Sequence, residues 1–376
     1  MRLLLVVNDA STFFTHRLPW ARAAQGAGYE VHVGGPIQQA ASEIAALGFH
    51  ARPFPFVRGV GAPRKVAEGL QKGLDVVRSV RPTIVHVVGT QLVATFAPLL
   101  RRSIAPALVL SVTGLGHAFL SEGARGRAMR WITAGGYAFC RTHGNARFVF
   151  QNRDDLATMR SFLPLRGLPA TLIRGSGVDT AQFPFSPIPV SEPPLIVFPA
   201  RLIREKGIVE LLAALRLLKS SKTPFRCRLV GSVDPSNPSS TSEAEVHEWV
   251  HQGLVEWSGP SRDMPAVFRE GAIVALPSFR EGLPKALLEA ASVGRPIVAT
   301  DVPGCREVVQ DGVTGTLVPL GDTRALASAL DALLRSPELR ASMGAAGRRR
   351  VETSLSVEQV TAAYLDVYRS LTDRLR

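Results

Sequence analysis

Apolar and polar residues alternate in one rhythm along the first half of the chain, and this rhythm predicts a layered α/β domain. Short continuous apolar runs predict buried strands at Leu3–Val7, Glu30–Gly35, His50–Phe56, Ile84–Val88, Ala107–Val112, Arg147–Gln151 and Thr171–Arg174. Helices are predicted between them, among others at Arg17–Ala27 (after a loop at Asn8–Thr15), Ala40–Leu47 and Arg64–Val80. Apolar strands that alternate with helices are typical of a parallel sheet covered on both faces.

The rhythm restarts after a proline-rich stretch at residues 176–194, which predicts an interdomain linker. Beyond it the pattern predicts strands at Leu195–Pro199, Cys227–Val230, Val255–Trp257, Ile273–Leu276, Pro296–Ala299 and Gly315–Val318, and helices at Gly207–Leu218 and Val357–Leu375. We therefore expect two doubly wound, Rossmann-like parallel-sheet domains at 1–175 and 195–355. A terminal helix at 356–376 is expected to cross back to the first domain. Ligands of such sheets bind outside the carboxyl ends of the strands, which predicts a binding cleft between the domains.

The most informative stretch is Pro277–Ser292, which reads P-S-F-R-E-G-L-P-K-A-L-L-E-A-A-S after a predicted strand. It predicts a sharp loop and a helix with Pro284 at the first helical position, where a missing N–H is tolerated. The N-terminus of such a helix attracts anions such as a diphosphate. Glu281 and Glu289 lie roughly 10–12 Å apart along the helix axis. That distance is too long for a paired acid and base, but it suits two ends of one elongated ligand; solvated surface charges are the alternative.

Other predicted strands of the second half also end in polar residues. Arg201 follows one strand and Lys206 precedes a helix, and two cations in such a loop can neutralise a diphosphate leaving group. Gly231 ends another strand. Arg262 lies in the loop Ser258–Met264, which offers backbone contacts to a base. Each feature alone is common on protein surfaces, whereas together they are specific.

Composition narrows the class of protein. The 376 residues are 46% hydrophobic and 20% charged, which suits a globular α/β protein. Three cysteines without CxxC spacing argue against a disulfide scaffold or a zinc site. No signal peptide is predicted. The uncharged stretches Pro82–Leu100 and Ser103–Ser121 contain Gly, Pro and His residues that argue against membrane spans.

The net charge of +13 belongs to the first half of the chain. Residues 1–175 contain 21 Lys and Arg against 8 Asp and Glu, whereas residues 176–376 contain 23 of each. The positive electrostatic field of such a half favours binding to anionic lipid, nucleic acid or a phosphorylated substrate. The alternative is that the excess of basic residues reflects solubility or an Arg-rich genome. No nucleic-acid motif is present and only 7% of residues are aromatic, which disfavours a nucleic-acid-binding protein. The glycine-rich fingerprint of dinucleotide-binding proteins is missing after the first strand, which disfavours an NAD dehydrogenase.

Four segments of the second half together resemble the retaining GT-B glycosyltransferases of glycosyltransferase family four. They are A-R-L-I-R-E-K-G (200–207), L-V-G (229–231), F-R-E-G-L-P-K-A-L-L-E-A (279–290) and G-R-P-I-V-A-T-D-V-P-G-C-R-E-V-V (294–309). In the first half, V-N-D-A-S-T-F-F-T-H-R-L-P (7–19) and T-G-L-G-H-A-F-L (113–120) are similar to the subgroup that extends polyprenyl-diphosphate-linked sugars in polysaccharide or glycan assembly. The resemblance covers essentially the whole chain.

The resemblance implies transfer of a hexose or N-acetylhexosamine from a nucleotide-diphosphate sugar, UDP-linked by expectation. It implies retention by front-face displacement, without a metal or another cofactor. Arg201 and Lys206 would contact the donor diphosphate, and Glu281 would lie near the donor sugar. The predicted donor-binding residues are Glu289 (at the ribose hydroxyls), Gly282 and Leu283 (through backbone N–H groups), Gly231, Arg262 and Thr113.

Two departures from the family pattern affect these expectations. Ala200 stands where the family usually has Gly before the Arg, a small change that we expect to be tolerated. Many members carry a His or Asp directly after the strand that matches Ile84–Val88, where this chain continues with Gly89-Thr90-Gln91. His16 and Thr113 are therefore the candidates for the polar partner in the first domain. A His16 bonded within its own loop is the alternative.

The basic half is expected to bind a lipid-linked or sugar acceptor at an anionic membrane surface, where each Lys or Arg adds about 1 kcal/mol. The predicted acceptor or membrane patch comprises Arg64, Lys65, Lys72, Arg78, Arg125, Arg127, Arg130 and Trp131. We thus expect a cytoplasmic protein that associates peripherally with the inner face of the membrane. The alternatives within related chemistry are a soluble sugar, sugar phosphate or small-molecule acceptor, and nucleotide-sugar 2-epimerisation.

Overall fold

The computed structural model describes residues 1–56, 63–115, 123–161, 167–190 and 192–375. They form two compact units, one of Met1–Ser176 with Val360–Arg376 and one of Gly177–Gln359. Each unit is built on one parallel sheet with helices, so the prediction of two doubly wound α/β layers is confirmed.

The sheet of the first unit has seven parallel strands in the order β3-β2-β1-β4-β5-β6-β7. They are β1 (Arg2–Val6), β2 (Glu30–Gly35), β3 (His50–Pro53), β4 (Ile84–Val88), β5 (Ala107–Val112), β6 (Ala146–Phe150) and β7 (Ala170–Leu172). Every residue of β4 and β5 is buried, as expected for central strands that are covered on both faces.

The helices of the first half pack on both sides of this sheet. They are α1 (Ala10–Thr12), α2 (Leu18–Gly26), α3 (Ala41–Ala46), α4 (Pro63–Val80), α5 (Thr90–Thr95), α6 (Gly123–Arg141) and α7 (Arg153–Ser161). Two sequence predictions were wrong here. The predicted loop after β1 is helical from Ala10, because Asp9 Oδ1 accepts a hydrogen bond from the Thr12 N–H at 2.6 Å, and a π-helical turn at Phe13–Arg17 follows. The third strand ends at Pro53 rather than Phe56, since Pro55 has no N–H for the ladder.

The sheet of the second unit has six parallel strands in the order β10-β9-β8-β11-β12-β13. They are β8 (Leu195–Phe198), β9 (Arg226–Leu229), β10 (Glu256–Trp257), β11 (Ile273–Leu276), β12 (Ile297–Thr300) and β13 (Gly315–Val318). Its helices are α8 (Ile208–Ser220), α9 (Glu243–His251), α10 (Met264–Glu270), α11 (Lys285–Val293), α12 (Pro303–Val308), α13 (Thr323–Arg335) and α14 (Pro337–Arg350). The predicted bounds of β11 and β13 are exact, and those of the other four strands differ by one residue at one or both ends.

Two segments outside the two predicted domains each belong to one of the units. The stretch predicted as a linker packs on the second unit, where Phe183 is buried and its carbonyl accepts hydrogen bonds from Ser292 Oγ at 2.7 Å and Arg348 Nη1 at 3.0 Å. The last helix, α15 (Val357–Thr372), belongs to the first unit from Val360 onward. Its buried tyrosines, Tyr364 and Tyr368, join the core of that unit.

Both sheets repeat one strand order. Counted from its own first strand, each sheet contains the sequence 3-2-1-4-5-6, and the first unit adds a seventh strand. The order reverses between strands one and four, which are β1 and β4 in the first unit and β8 and β11 in the second. Open α/β sheets bind ligands outside the carboxyl ends of the strands at this switch point. The residues that follow these four strands are therefore the first place to look for a site.

Candidate active site

The switch point of the second unit brings Lys206 and Glu281 into contact. Lys206 ends a 3₁₀ turn after β8, and Glu281 lies in the loop after β11. Lys206 Nζ lies 2.6 Å from Glu281 Oε1, and the two side chains are 24% and 10% exposed. Ser278 Oγ donates a second hydrogen bond to the same oxygen at 2.8 Å, and Thr300 Oγ1 in turn bonds the Ser278 carbonyl. The ion pair is thus held in place at the ends of three neighbouring strands.

Two glycines allow these loops to approach so closely. Gly207 has a φ of +76°, and a Cβ there would lie 2.0 Å from the carbonyl oxygen of Pro277. A Cβ on Gly231 would lie 1.9 Å from the carbonyl oxygen of Ala200. Any side chain at either position would push the loops apart. Gly231 therefore supports the loop of Arg201 by close packing.

Arg201 and Lys206 each have their own carboxylate partner. Arg201 Nη1 lies 3.1 Å from Asp234 Oδ2, and its side chain is 57% exposed. Hydrogen bonding from Ser236, helped by Arg201, holds the pKa of Asp234 below its usual range. Asp234 and Ser278 are two polar residues of this region that were not predicted as candidates. Arg262 is exposed in the loop between β10 and α10.

Glu289 occupies a different environment from Glu281. It is 8% exposed on α11, with Lys285 Nζ at 3.5 Å from its Oε1. Burial raises the pKa of Glu289, and Lys285 opposes that shift. The helix begins at Lys285, so the placement of Pro284 at the first helical position was wrong; Pro284 is the N-cap residue. Gly282 and Leu283 lie half-buried in the loop just before it.

The switch point of the first unit carries an uncharged cavity of about 240 Å³. Its lining residues are Asn8, Phe56, Gly89, Thr90, Gln91, Leu92 and Thr113. The Oδ1 atom of Asn8 is buried without a hydrogen-bond partner among the residues that the structure describes. Amides, hydroxyls and one aromatic ring are the groups that contact sugar hydroxyls and the apolar faces of sugar rings. Asn8 and Thr90 were missed as candidates, although Asn8 directly follows one apolar run and Thr90 follows another after a single glycine.

His16 and Thr113, the two candidates in the first domain, lie in different surroundings. Thr113 lines the uncharged cavity, whereas His16 is not among the lining residues. His16 Nδ1 lies 3.2 Å from Ser176 Oγ, a partner distant in sequence rather than in its own loop. The structure therefore does not bring these two residues together around one cavity.

The predicted basic patch is divided between α4 and α6. On α4, Arg64 and Lys65 are exposed. Lys72 pairs with Glu68 at 2.7 Å and Arg78 with Asp75 at 3.0 Å. Arg125, Arg127, Arg130 and Trp131 lie on α6, where the Trp131 side chain is 59% exposed. Among the described residues, no helix combines the length and apolarity that a membrane span requires.

One cluster at the edge of the first sheet has the composition of a metal site. Glu30, His32 and His50 place one ligand atom each within 4.8 Å of one another. Arg52 Nε donates to His32 Nδ1 at 3.3 Å, so the hydrogen of this imidazole is on Nε2, which lies 2.9 Å from Glu30 Oε1. This chain of hydrogen bonds accounts for the cluster, which lies away from the switch point of its own unit.

Two family models match the chain in succession. The model described as "Glycosyl transferase 4-like" matches residues 2–142, and "Glycosyl transferases group 1" matches residues 179–350. Two Rossmann-like units of this kind in one chain make up the GT-B fold of glycosyltransferases. Because the two models together match most of its residues, the chain belongs to the glycosyltransferases that combine these two domains.

Several named proteins are similar to this chain. N,N'-diacetylbacillosaminyl-diphospho-undecaprenol alpha-1,3-N-acetylgalactosaminyltransferase of Campylobacter jejuni is 23% identical over 98% of both chains. A putative colanic acid biosynthesis glycosyltransferase of Escherichia coli is 37% identical over 42% of this chain and 40% of its own length. Among solved structures, sucrose-phosphate synthase from Thermosynechococcus elongatus has a TM-score of 0.78 at 19% identity, covering 100% of both chains. Anabaena HepE in complex with UDP and glucose has a TM-score of 0.75 at 17% identity, covering 98% of this chain and 100% of its own.

Proposed function

We propose that the protein transfers a hexose or N-acetylhexosamine, with retention of configuration, from a UDP-linked sugar to a polyprenyl-diphosphate-linked sugar in polysaccharide assembly. The proposal rests above all on the contact between Lys206 and Glu281 at the second switch point, next to the N-terminus of α11. The Campylobacter relative, whose name describes a lipid-linked acceptor, supports the acceptor class. The complex of Anabaena HepE with UDP and glucose supports a uridine nucleotide as donor.

In this proposal the second unit binds the donor. The diphosphate accepts hydrogen bonds from Lys206 and Arg201, and the positive end of α11 adds to the stabilisation of its charge. Lys206 need not leave Glu281, because an ammonium group has three N–H donors. Glu281 then accepts a hydrogen bond from the donor sugar. Glu289 accepts hydrogen bonds from the ribose hydroxyls, and Gly282 and Leu283 donate backbone N–H groups.

The proposed step is a front-face displacement at the anomeric carbon. The bond between that carbon and the diphosphate oxygen breaks, and a bond to the acceptor hydroxyl oxygen forms on the same face. The hydroxyl proton passes to the departing phosphate oxygen. Negative charge develops on the leaving diphosphate, so Lys206 and Arg201 are most valuable in the transition state. No side chain is proposed as a covalent nucleophile, and the proposal requires no metal.

The first unit contacts the acceptor sugar through the uncharged cavity at its switch point. Asn8, Thr90, Gln91 and Thr113 offer amide and hydroxyl groups, and Phe56 offers a ring face. These groups favour a neutral sugar ring over a phosphorylated one, which would require cations. The basic charge of the same unit favours an acceptor held at an anionic membrane surface.

The donor half of the proposal is tested by calorimetry and transfer assays. We expect UDP and UDP-sugars to bind in the absence of divalent metal, and transfer to a lipid-diphosphate sugar to proceed in excess EDTA. Product analysis is expected to show the donor configuration at the new bond. An absolute need for a divalent ion, or an inverted product, would contradict the proposed mechanism.

The acceptor half is tested by Asn8→Ala. We expect the KM for the acceptor to rise about tenfold and the KM for the donor to stay unchanged, because a buried amide loses its hydrogen bond to the sugar. Asn145→Ala is the matched control, since Asn145 is a buried asparagine of the same unit whose amide bonds the Pro106 carbonyl at 3.0 Å, away from the cavity. An unchanged acceptor KM in Asn8→Ala would remove the cavity from the acceptor site.

A further inference from the structure

Helix α6 exposes an apolar stripe on the face opposite its buried side. Ala134, Tyr137 and Cys140 belong to the core of the first unit. On the outer face, Trp131, Ile132 and Phe139 are 59%, 64% and 58% exposed. Trp131 and Phe139 are eight residues apart, which places them on one face roughly 12 Å apart. A stripe of large exposed side chains of this kind marks an interaction surface.

The stripe continues into an open groove of about 600 Å³ at the C-terminal end of α6. Phe139 forms part of its lining, together with Leu74 of α4 and the nearby Leu99 and Ile104. Leu99 is itself 40% exposed. Two arginines, Arg78 and Arg101, also line it, as do Pro98 and Ser103. The groove therefore combines apolar side chains with cations, as the binding of an anionic amphiphile requires.

Arginine is the predominant charged residue on α6 and beside the groove. Helix α6 carries four arginines and no acidic residue, and Arg101, which lines the groove, is followed in the chain by Arg102. Of the two arginines that line the groove, Arg78 pairs with Asp75 at 3.0 Å. Self-association through this patch would place arginine against arginine, which disfavours a second copy of the chain as its occupant.

We infer that this face of α6 and the adjoining groove are inserted into an anionic phospholipid bilayer. Helix α6 lies flat in the headgroup layer, with Trp131, Ile132 and Phe139 among the upper acyl-chain carbons. A lipid phosphate binds between Arg78 and Arg101, and its acyl chain packs on Leu99 and Phe139. An amphipathic helix with tryptophan and arginine has this preference for the membrane interface. The inference rests on the proposed function and gives its membrane partner a defined surface.

Such an orientation also suits the acceptor cavity. Helix α6 follows β5 in the chain, and Thr113, at the end of β5, lines that cavity. Because a crossover helix runs back from the carboxyl edge of its sheet, the N-terminal end of α6 lies at the cavity's edge of the sheet. A bilayer in contact with α6 would thus present a lipid-linked sugar to the same edge.

Trp131 reports directly on insertion. The 376-residue chain is mixed with vesicles of phosphatidylglycerol and phosphatidylcholine whose acyl chains are brominated near the headgroup. We expect a blue shift and quenching of tryptophan fluorescence, and loss of most of both signals in Trp131→Phe. Trp20 is buried and Trp249 and Trp257 are half-buried, so Trp131 dominates the change. Vesicle binding without any change in the Trp131 signal would overturn the inference.

Variants separate insertion from general charge attraction. Leu99→Ser with Phe139→Ser is expected to weaken binding to the anionic vesicles at least tenfold, and Arg78→Gln with Arg101→Gln is expected to weaken it to a similar degree. The matched control is Val209→Ser with Leu217→Ser, because these α8 side chains are 41% and 43% exposed on the other unit. Equal vesicle binding of the apolar double variant and the wild-type chain would overturn the inference.

Two further measurements distinguish other outcomes. Sedimentation without vesicles is expected to show the same mass for the wild type and the Leu99→Ser/Phe139→Ser variant; a wild-type dimer that this variant dissociates would assign the face to a second copy instead and overturn the inference. Transfer to a short, detergent-soluble acceptor is expected to be equal in both chains. Wild-type insertion without any sugar transfer would contradict the proposed function alone, whereas transfer without insertion would contradict this inference alone.

Discussion

Lys206 is the residue on which the proposed chemistry depends most. Its ammonium group lies 2.6 Å from a carboxylate oxygen of Glu281, and in the proposed function it also binds the donor diphosphate. Ser278 Oγ donates a hydrogen bond to the same carboxylate. Glu281 therefore keeps Ser278 as a partner when Lys206 also binds the diphosphate. A cation fixed in advance stabilises the charge of a leaving group more effectively than one that must be ordered during the reaction.

For Lys206→Ala we expect kcat to fall by a factor of about 10²–10³, with a smaller effect on donor affinity, because the charge it neutralises develops in the transition state. Steady-state and single-turnover kinetics measure the change. Lys219→Ala is the matched control, since Lys219 is an exposed lysine of the same unit that bonds the Gln252 carbonyl at 3.1 Å. A Lys206→Ala enzyme with unchanged kcat would remove this residue from the mechanism.

Glu289 is expected to destabilise the unliganded protein although it is proposed to bind the donor. Burial raises its pKa, so the folded chain holds its proton more tightly than the unfolded chain does. Stability is therefore lost as the pH rises through the carboxyl range, and the carboxylate is costly at neutral pH. Residues of a binding site commonly reduce the stability of the unliganded protein in this way.

We expect Glu289→Gln to raise the unfolding free energy of the unliganded protein by about 1 kcal/mol at pH 8 and by less at pH 4. Its affinity for UDP should fall about tenfold, because a carboxylate binds ribose hydroxyls more strongly than an amide does. Denaturant unfolding and calorimetry give the two values. Glu338→Gln, at an exposed glutamate of α14, should change neither, and tight UDP binding by Glu289→Gln would contradict the assignment.

At the scale of elements, α15 is attached to the first unit through a buried network around His86. His86 Nδ1 lies 2.7 Å from Tyr368 Oη, and its Nε2 lies 2.7 Å from Ser111 Oγ. Trp20 stacks on the imidazole with ring centroids 5.7 Å apart. Burial, with a contribution from the nearby Arg17, lowers the pKa of His86 to about 3. The ring therefore stays neutral in the folded state.

This network predicts a pH-dependent stability. Between pH 6.5 and about 3 the unfolded chain binds a proton on His86 that the folded chain does not bind. The unfolding free energy therefore falls as the pH is lowered through this window, by up to about 1.4 kcal/mol per pH unit for this one group. Urea unfolding at several pH values, followed by tryptophan fluorescence, measures the slope. Because His86→Gln cannot titrate, we expect a shallower slope, and parallel curves for variant and wild type would refute the account.

At the scale of the whole molecule, the net positive charge is unevenly distributed between the two halves of the chain. The excess of +13 lies within residues 1–175, and the rest of the chain is neutral overall. Some of the cations are balanced locally, since Lys72 and Arg78 pair with carboxylates on their own helix. The exposed arginines of α6 have no acidic residue on that helix. The first unit therefore carries the field that attracts an anionic surface.

We expect the full chain to float with anionic vesicles at low ionic strength and to be released at high salt, because exposed charges are screened beyond about 10 Å at 0.1 M salt. Arg64→Gln with Lys65→Gln should lower the salt concentration needed for release. Arg269→Gln with Arg324→Gln, a matched loss of two exposed cations from the second unit, should leave it unchanged. Equal partition to neutral and anionic vesicles would contradict this attraction.

Much of the fold followed from the chain alone. Buried parallel strands are continuous apolar runs, so β4, β5 and β11 were located to the residue by their composition. The conformation of the segment after β1 was not predicted correctly. It is helical because the Asp9 side chain caps a short helix within a polar stretch. The predicted start of α11 was one residue too early, because proline fits both the N-cap and the first helical position.

The sequence by itself determined the class of the layers, the division of charge, and the candidate cations and carboxylates of the second unit, because these depend on residue type and local spacing. Only the tertiary structure decided the order of the strands, and with it the two switch points. That order brings Lys206 to Glu281 across 75 positions, opens an uncharged cavity beside Asn8 and leaves the outer face of α6 uncovered. Such contacts depend on which strands become neighbours, and local spacing does not contain that information.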